Sequence, residues 1–342
     1  MKITIKVEQQ IPYTTDRCVE EQQIDPKRDA QRRSMQRIVT RPFVRVERGD
    51  SRNVLPTLDA ASVQCCVTSP PYWGLRDYGH PDQIGQEPTP QEYIANLVTV
   101  FREVRRVLRE DGTLWLNLGD TYTGKSVAGM PWRVALALQA DGWLLRQDII
   151  WHKPNPMPES VTDRCTKAHE YLFLLTKAER YYFDAAAIAE PATCDRMRGP
   201  AKHADTKSTN GNDGLCRRPI SETRNKRSVW SIVTESYKGA HFAPFPRALV
   251  APCILAGTSA AGCCPDCFAP WKNGEPSCTC TPERDYYAPI PCCVLDPFGG
   301  SGTTGVVALE HGRSALLVEL SEEYERLINQ RLTTTPGLPL AG

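Results

Sequence analysis

The chain is organised around Thr68-Ser69-Pro70-Pro71-Tyr72-Trp73-Gly74, which directly follows an apolar run at residues 63–67 that predicts a short buried strand. Two consecutive prolines cannot continue the hydrogen-bond ladder of a sheet, so the strand has to end in a stiff turn. The turn carries a hydroxyl group, a free carbonyl group and two large aromatic rings. Open α/β sheets bind their ligands beyond the carboxyl ends of strands, so this turn is a candidate ligand site. Our working hypothesis is that it holds a planar base that bears an amine.

Strands alternate with helices along the rest of the chain, which predicts a largely parallel sheet covered by helices. The apolar spacing predicts helices over residues 91–109, 131–140, 246–256, 303–311 and 321–332. Strands are predicted at 43–47, 113–118, 144–151, 171–176, 181–183, 292–295 and 315–319. The 342 residues carry a formal net charge of +1 and contain no apolar run long enough to span a bilayer, so a membrane protein is not expected.

A second motif, at residues 294–305, combines a short apolar strand, a glycine-rich loop and the start of a helix. Its glycines let a ligand approach the backbone, and the free amides of the helix start favour negative charge. Glu319, at the end of the next predicted strand, is placed to accept hydrogen bonds from ribose hydroxyls. Gly300, Gly302 and Gly305 also satisfy G-x-G-x-x-G, so a nicotinamide-dependent dehydrogenase has to be considered. The lack of a Gly-Lys-Ser/Thr motif argues against a nucleoside triphosphate.

The position of this loop decides how it is used. Only one βαβ unit lies between residue 294 and the C-terminus, which is too little for a separate cofactor domain. Its strands therefore have to join the sheet that the N-terminal strands build. We expect a doubly wound sheet in which the 69–72 turn and the 296–302 loop meet at a topological switch point, where such sheets form a crevice.

The two motifs together resemble the DNA amino-methyltransferases of the beta arrangement, in which the catalytic motif comes first and the S-adenosylmethionine motif last. The resemblance rests on Ser-Pro-Pro-Tyr at 69–72 and Asp-Pro-Phe-x-Gly-x-Gly at 296–302. It extends through shorter matches at 114–120, 153–156, 169–171 and 241–246, and so covers nearly all of residues 44–332. It implies a Rossmann-like methyltransferase fold with a circularly permuted motif order.

The resemblance also implies the site residues. Cofactor contacts are expected at Asp50, Phe242, Phe245, Asp296, Pro297, Phe298, Gly300, Gly302, Thr303, Thr304 and Glu319. The catalytic residues are expected to be Ser69, Pro70, Pro71 and Tyr72, with Trp73 shaping the base pocket. The Ser69 side chain and the Pro70 carbonyl would accept hydrogen bonds from the target amine, while Tyr72 stacks on a base that is flipped out of the duplex.

Serine at the first motif position resembles the cytosine-N4 enzymes more than the adenine-N6 enzymes, and adenine N6 remains the alternative. The resemblance implies a bacterial or phage-encoded enzyme of the cytoplasm that acts on double-stranded DNA. It leaves open a cognate restriction endonuclease, the oligomeric state, an RNA-methylating relative and a non-catalytic nucleic-acid-binding module.

We predict four segments: a polar extension at 1–37, a catalytic half at 38–183, a target-recognition insertion at 184–228 and a cofactor-binding half at 229–342. Residues 194–227 contain nine basic and four acidic side chains, and a solvated loop is the alternative to DNA recognition. The arginines expected to contact phosphates or guanine edges are Arg196, Arg198, Arg217, Arg218, Arg224 and Arg227.

The cofactor-binding half contains a cysteine-rich insertion at 257–291. Residues 1–20 lack a secretory signal, so we expect the fourteen cysteines to be reduced or metal-bound. Cys264, Cys267, Cys278 and Cys280 form two close pairs with spacing similar to that of a zinc ribbon. Cys263 offers a competing ligand, and free thiols are the alternative. A zinc ion here would be structural, because four protein ligands leave no open position for substrate.

Overall fold

The computed structural model describes residues 41–192, 222–235, 245–280 and 288–334. The predicted extension at 1–37 and residues 193–221 of the predicted recognition insertion lie outside these ranges. None of the described helices is long and apolar enough to cross a membrane.

The described chain builds one eight-stranded sheet with the spatial order β1-β8-β7-β2-β3-β5-β4-β6. All neighbours pair in parallel except β5, which runs antiparallel to both β3 and β4. The largely parallel sheet predicted from the sequence is thus confirmed. Its strands are β1 (Val44–Arg48), β2 (Val63–Thr68), β3 (Leu108–Leu118), β4 (Leu144–His152), β5 (His169–Thr176), β6 (Val229–Ser231), β7 (Cys293–Asp296) and β8 (Ser314–Glu319).

Helices cover both faces of this sheet, and each face has its own hydrophobic core. The second and third helices pack on one face, and the last three pack on the other. Parallel strands covered on both faces are buried along their whole length, as β2 and β8 are. The helices are α1 (Ser51–Val54), α2 (Pro90–Val107), α3 (Met130–Ala140), α4 (Arg247–Gly257), α5 (Thr303–Glu310) and α6 (Glu322–Thr334).

Helix α2 shows how the sequence specifies an element and where the prediction of its end was wrong. Thr89 caps the helix by accepting a hydrogen bond from the Glu92 amide at 3.2 Å, and Pro90 occupies the favourable first turn. The predicted helix runs to residue 109, but the structure ends it at Val107 and begins β3 at Leu108. The carbonyl of Val107 accepts a hydrogen bond from the Ser62 amide at 2.9 Å, so the chain leaves the helix to pair beside β2.

The predicted strand at 181–183 is wrong. The Tyr182 amide donates to the Asp111 carbonyl at 2.8 Å and the Asp184 amide donates to the Ala256 carbonyl at 2.9 Å. Phe183 stacks on Trp115 with ring centroids 6.2 Å apart. This aromatic segment is therefore an extended connection held against the sheet and α4, and it does not add a strand.

Candidate active site

The 69–72 turn and the 297–302 loop leave the sheet side by side. They follow β2 and β7, which pair in parallel with Val294 opposite Cys65. A hydrogen bond joins the carboxyl ends of these two strands: the hydroxyl of Thr68 donates to Oδ1 of Asp296 at 2.7 Å. The predicted meeting of the two loops at the carboxyl edge of the sheet is thus confirmed.

Asp296 braces this junction from inside the protein. The Asp296 side chain is fully buried, and its carboxylate also accepts hydrogen bonds from the Phe298 amide at 3.1 Å and the Thr304 hydroxyl at 2.7 Å. Burial disfavours the charged form and raises the pKa of Asp296 from its ordinary 3.8 to about 7, although these hydrogen bonds act in the opposite direction. Asp296 therefore holds the two loops together and is neutral over much of the acidic pH range.

The raised pKa predicts a pH-dependent stability. A carboxyl whose pKa is higher in the folded chain stabilises the fold at low pH, and this contribution is lost as pH rises from 3.8 towards about 7. An asparagine at this position would keep an acceptor for Thr68 and Phe298 and would donate to Thr304. Relative to the wild type, Asp296→Asn should therefore gain about 1–3 kcal/mol of unfolding free energy between pH 5 and pH 8, measured by urea denaturation.

The control for this prediction is Asp59→Asn, which removes an exposed carboxyl. It should leave the difference in stability between pH 5 and pH 8 unchanged. A wild-type profile that is parallel to the Asp296→Asn profile over this range would contradict the raised pKa.

A cavity of about 540 Å³ opens where the two loops meet. Pockets of this size bind cofactors and other small molecules. Eleven of the predicted site residues line it: Asp50, Ser69, Pro70, Pro71, Tyr72, Phe245, Pro297, Phe298, Gly300, Thr303 and Glu319. The cavity thus brings together the two motifs that the sequence keeps more than two hundred residues apart.

Four predicted site residues do not line the cavity: Trp73, Asp296, Gly302 and Thr304. The indole of Trp73 donates to the Glu87 carbonyl at 2.9 Å, so it can shape the cavity only by bracing the 75–89 loop. Gly302 adopts a φ of +76°, and a Cβ atom there would lie 3.0 Å from Cγ2 of Ile328. These residues contact the loops on the side away from the cavity and hold them in place. The predicted Phe242 contact lies outside the described residues.

Carboxylates mark one end of the cavity. Glu319 accepts hydrogen bonds from the Gly300 amide at 2.6 Å and the Ser321 amide at 2.8 Å, and burial raises the pKa of this carboxyl. Each carboxylate oxygen has two acceptor sites, so each can accept one further hydrogen bond from a hydroxyl group in the cavity. Asp50 caps α1 and pairs with the Arg52 guanidinium at 2.5 Å. Acceptors that line a cavity beside the backbone of Gly300 fit the ribose of a nucleoside.

Two tyrosine rings frame the same end, and a buried arginine holds the glycine loop. Tyr78 and Tyr324 both line the cavity and meet edge to face, with centroids 6.4 Å apart. Arg331 donates to the Ser301 carbonyl at 3.0 Å and to the Thr303 hydroxyl at 2.9 Å. The loop is thereby held by α6.

A hydrogen-bonded network lies at the other end, around the catalytic turn. The hydroxyl of Tyr72 donates to Oε2 of Glu170 at 2.7 Å and lies 3.2 Å from Oγ of Ser69. The side-chain amide of Asn117 donates to the Tyr72 hydroxyl at 2.8 Å and to Oε2 of Glu170 at 2.9 Å. Lys153 forms an ion pair with Oε1 of Glu170. The network fixes the orientation of the Tyr72 hydroxyl and brings it next to Ser69.

Two further features keep Tyr72 in this position. Burial and the neighbouring Glu170 carboxylate raise the pKa of Tyr72 well above its ordinary value, so the hydroxyl stays protonated and donates. The ring lies against Gly119, where an added Cβ atom would come within 2.5 Å of Cε2 of Tyr72. Gly119 is therefore required by close approach of the ring.

The sequence reasoning assigned no role to Asn117, Lys153 or Glu170, although all three line the cavity. Each left a signal. Asn117 is the one polar side chain in the run from Leu114 to Leu118, and Glu170 directly precedes the largely apolar run at residues 171–175. A polar residue at a buried strand position needs a partner, and here the partners are one another.

The predicted DNA-binding arginines are only partly described. Arg196, Arg198, Arg217 and Arg218 lie outside the described residues. Arg224 and Arg227 lie at the base of the insertion, where Thr223–Arg224 pairs antiparallel with Glu190–Pro191. Their Nε atoms lie 3.6 Å and 3.0 Å from Oε2 of Glu190. In this structure both arginines therefore join the end of the insertion to its start at Glu190.

Comparisons with known proteins agree with this geometry. A family model described as DNA methylase matches residues 63–270 and 292–330. The chain is 42% identical over 313 residues to the Type II methyltransferase M.SmaI of Serratia marcescens, covering 83% of this chain and 89% of that protein. It is 41% identical over 313 residues to the Type II methyltransferase M.Cfr9I of Citrobacter freundii, covering 83% and 86%.

Solved structures share the fold. The PvuII DNA methyltransferase (cytosine-N4-specific) matches with a TM-score of 0.58 and 19% identity, over 88% of this chain and 89% of that chain. A Thermus thermophilus protein crystallised with S-adenosyl-L-methionine matches with a TM-score of 0.51 and 24% identity, over 86% and 97%. At these identities the likeness concerns the fold of the chain.

Proposed function

The chain belongs to the DNA methylase family, and from this premise we propose that it methylates the exocyclic N4 amine of cytosine in double-stranded DNA. The family makes it an S-adenosylmethionine-dependent DNA methyltransferase, which excludes the dehydrogenase and the non-catalytic binding module. The observation that carries the choice of cytosine is Ser69, a neutral hydroxyl, at the first position of the catalytic motif. The alternative within the family is the N6 amine of adenine.

The cofactor end of the cavity suits S-adenosylmethionine. When bound, this cofactor supplies an electrophilic methyl group on a sulfonium sulfur. We propose that Glu319 and Asp50 accept hydrogen bonds from its nucleoside and that the backbone at Pro297, Phe298 and Gly300 contacts it directly. Thr303 and Phe245 also line this cavity. Asp296, Gly302 and Thr304 would act indirectly, by fixing the loop from behind.

The catalytic turn would position the amine. The lone pair of an exocyclic amine is delocalised into the ring, so the amine is a weak nucleophile. We propose that Oγ of Ser69 and the carbonyl oxygen of Pro70 each accept a hydrogen bond from the amine and direct its lone pair towards the methyl group. The carbonyl of Pro71 accepts a hydrogen bond from the Tyr93 hydroxyl at 2.9 Å, which would hold the turn in place behind Ser69 and Pro70.

Tyr72 would hold the base itself. Glu170 and Asn117 fix its hydroxyl, and contact with Gly119 fixes its ring, so the ring offers a preformed surface on which a flipped base can stack. Holding reacting groups near attack geometry can contribute about 7–11 kcal/mol to catalysis. The methylated amine then loses one proton to water, because a nitrogen conjugated with the ring is a weak base.

DNA recognition would fall to the insertion at 184–228. The basic side chains of the insertion suit contacts with phosphates and guanine edges. At the base of the insertion, Glu190 pairs with Arg224 and Arg227. Because M.SmaI is named a Type II methyltransferase, we extend the proposal to a cognate restriction endonuclease that cuts the same sequence.

The modified base tests the proposed function. Plasmid DNA from a methylation-deficient host is incubated with the protein and S-adenosylmethionine, digested to nucleosides and analysed by mass spectrometry. We expect N4-methyldeoxycytidine, which should be absent from the reaction without protein. Finding N6-methyldeoxyadenosine would replace the base assignment, and finding no methylated nucleoside would overturn the proposal.

A further inference from the structure

The cysteine-rich insertion brings four thiols to one point. The Sγ atoms of Cys264, Cys267, Cys278 and Cys280 all lie within 4.8 Å of one another. Cys264 is buried and the other three are half-buried. The competing cysteine, Cys263, is not part of this group, because its thiol lies 3.6 Å from Nε2 of Gln64 and 3.9 Å from the Pro291 carbonyl oxygen.

Two tight turns produce the cluster. The first cysteine pair lies on a closed loop in which the Phe268 amide donates to the Cys264 carbonyl at 2.9 Å. Phe268 adopts a φ of +58°, which is strained for an aromatic residue and needs its surroundings to hold it. A hairpin follows, with Trp271–Lys272 paired to Glu275–Pro276 across the left-handed residues Asn273 and Gly274. The hairpin returns the second cysteine pair to face the first.

The loop of the first pair docks on the sheet at the edge opposite the active site. Arg109, near the start of β3, donates to the Cys267 carbonyl. The buried side chain of Gln64 donates to the Phe268 carbonyl at 3.2 Å and accepts from the Cys293 amide at 2.6 Å. Gln64 is the second residue of β2 and Cys293 is the first residue of β7, and these two strands carry the catalytic turn and the cofactor loop.

We propose that these four thiols bind one zinc ion as thiolates and that the ion stabilises the insertion against the amino ends of β2, β3 and β7. Four zinc–sulfur bonds of about 2.3 Å place tetrahedral ligands about 3.8 Å apart, so only a small contraction of the cluster is needed. Each thiol loses a proton on binding. The site is closed by four protein ligands and lies at the opposite edge from Ser69, so its role is structural.

Metal analysis of the full-length chain tests this proposal. Protein purified under reducing conditions is incubated with zinc and separated from unbound metal by gel filtration. Its metal content is then measured by inductively coupled plasma mass spectrometry. We expect about one zinc ion per chain. Replacing zinc with cobalt(II) should give the intense visible absorption of tetrahedral cobalt thiolate. Wild-type protein that retains no zinc, or that binds iron instead, would overturn the proposal.

Matched variants locate the ion. Cys264→Ser and Cys280→Ser should lose most of the zinc and lower Tm by at least about 5 °C, whereas Cys263→Ser and the exposed Cys165→Ser should retain it. If the first two variants do not fold, blocking the wild-type thiols with a mercurial should release the zinc to a chelating dye. Zinc retained by Cys264→Ser, or lost from Cys165→Ser, would contradict the assignment.

Discussion

Replacing Ser69 with alanine should lower kcat for methyl transfer by about a hundredfold to a thousandfold, comparable to the loss of one preorganised hydrogen bond at a reacting centre. The substitution removes the acceptor that we assign to the target amine. Ser69 follows β2, whereas Glu319 ends β8, which is separated from β2 by β7. The dissociation constant for S-adenosylmethionine, measured by calorimetry, should therefore stay within about threefold of wild type. Transfer of a labelled methyl group to DNA gives kcat.

The matched control is Ser126→Ala, which removes an exposed hydroxyl from a short surface hairpin. It should leave both constants unchanged. Full activity of Ser69→Ala would refute the role of the hydroxyl. A parallel loss of cofactor binding would instead show that the substitution disturbs the glycine loop as well as the turn. Such a disturbance could spread through the hydrogen bond from Thr68 to Asp296, which joins the two.

The fold and the meeting of the two loops could be predicted from short sequence patterns, because these patterns leave only one way to join the last strands to the first. Two prolines end β2, glycines open the loop after β7, and a single βαβ unit after residue 294 cannot form a sheet of its own. Once the last strands have to join the first, the carboxyl edge is the one place where both loops can lie. This reasoning predicts that Ser69 and Glu319 lie near one ligand site, and both line the same cavity in the structure.

The prediction failed where long-range contacts decide the role of a residue. Tyr181, Tyr182 and Phe183 have strong strand propensity, yet their neighbours are the Asp111 carbonyl and the Trp115 ring, so they form a connection. Trp73 does not line the cavity, and its expected role in shaping the base pocket stays a prediction. Its indole has a partner in Glu87, fourteen residues further along, and no local pattern contains that partner.

Glu170 is the clearest example of such a residue, and its replacement should have the second large effect on activity. Its carboxylate joins β5 to the catalytic turn through Tyr72, to β3 through Asn117 and to the end of β4 through Lys153. A glutamine keeps the shape and one acceptor oxygen but loses the ion pair. We expect Glu170→Gln to lower kcat about tenfold to a hundredfold, because a small displacement of positioned groups is enough to slow methyl transfer.

A double-mutant cycle separates positioning from general destabilisation. If Glu170 acts on the reaction through the Tyr72 hydroxyl, Tyr72→Phe should slow the reaction too, and the double variant should be no slower than the slower single variant. Tm and the dissociation constant for S-adenosylmethionine should remain near wild type in Glu170→Gln. If the two losses in kcat multiply, Glu170 acts independently of Tyr72. Non-additivity would instead assign Glu170 to the orientation of the ring on which the base stacks, a role that requires no direct contact with DNA.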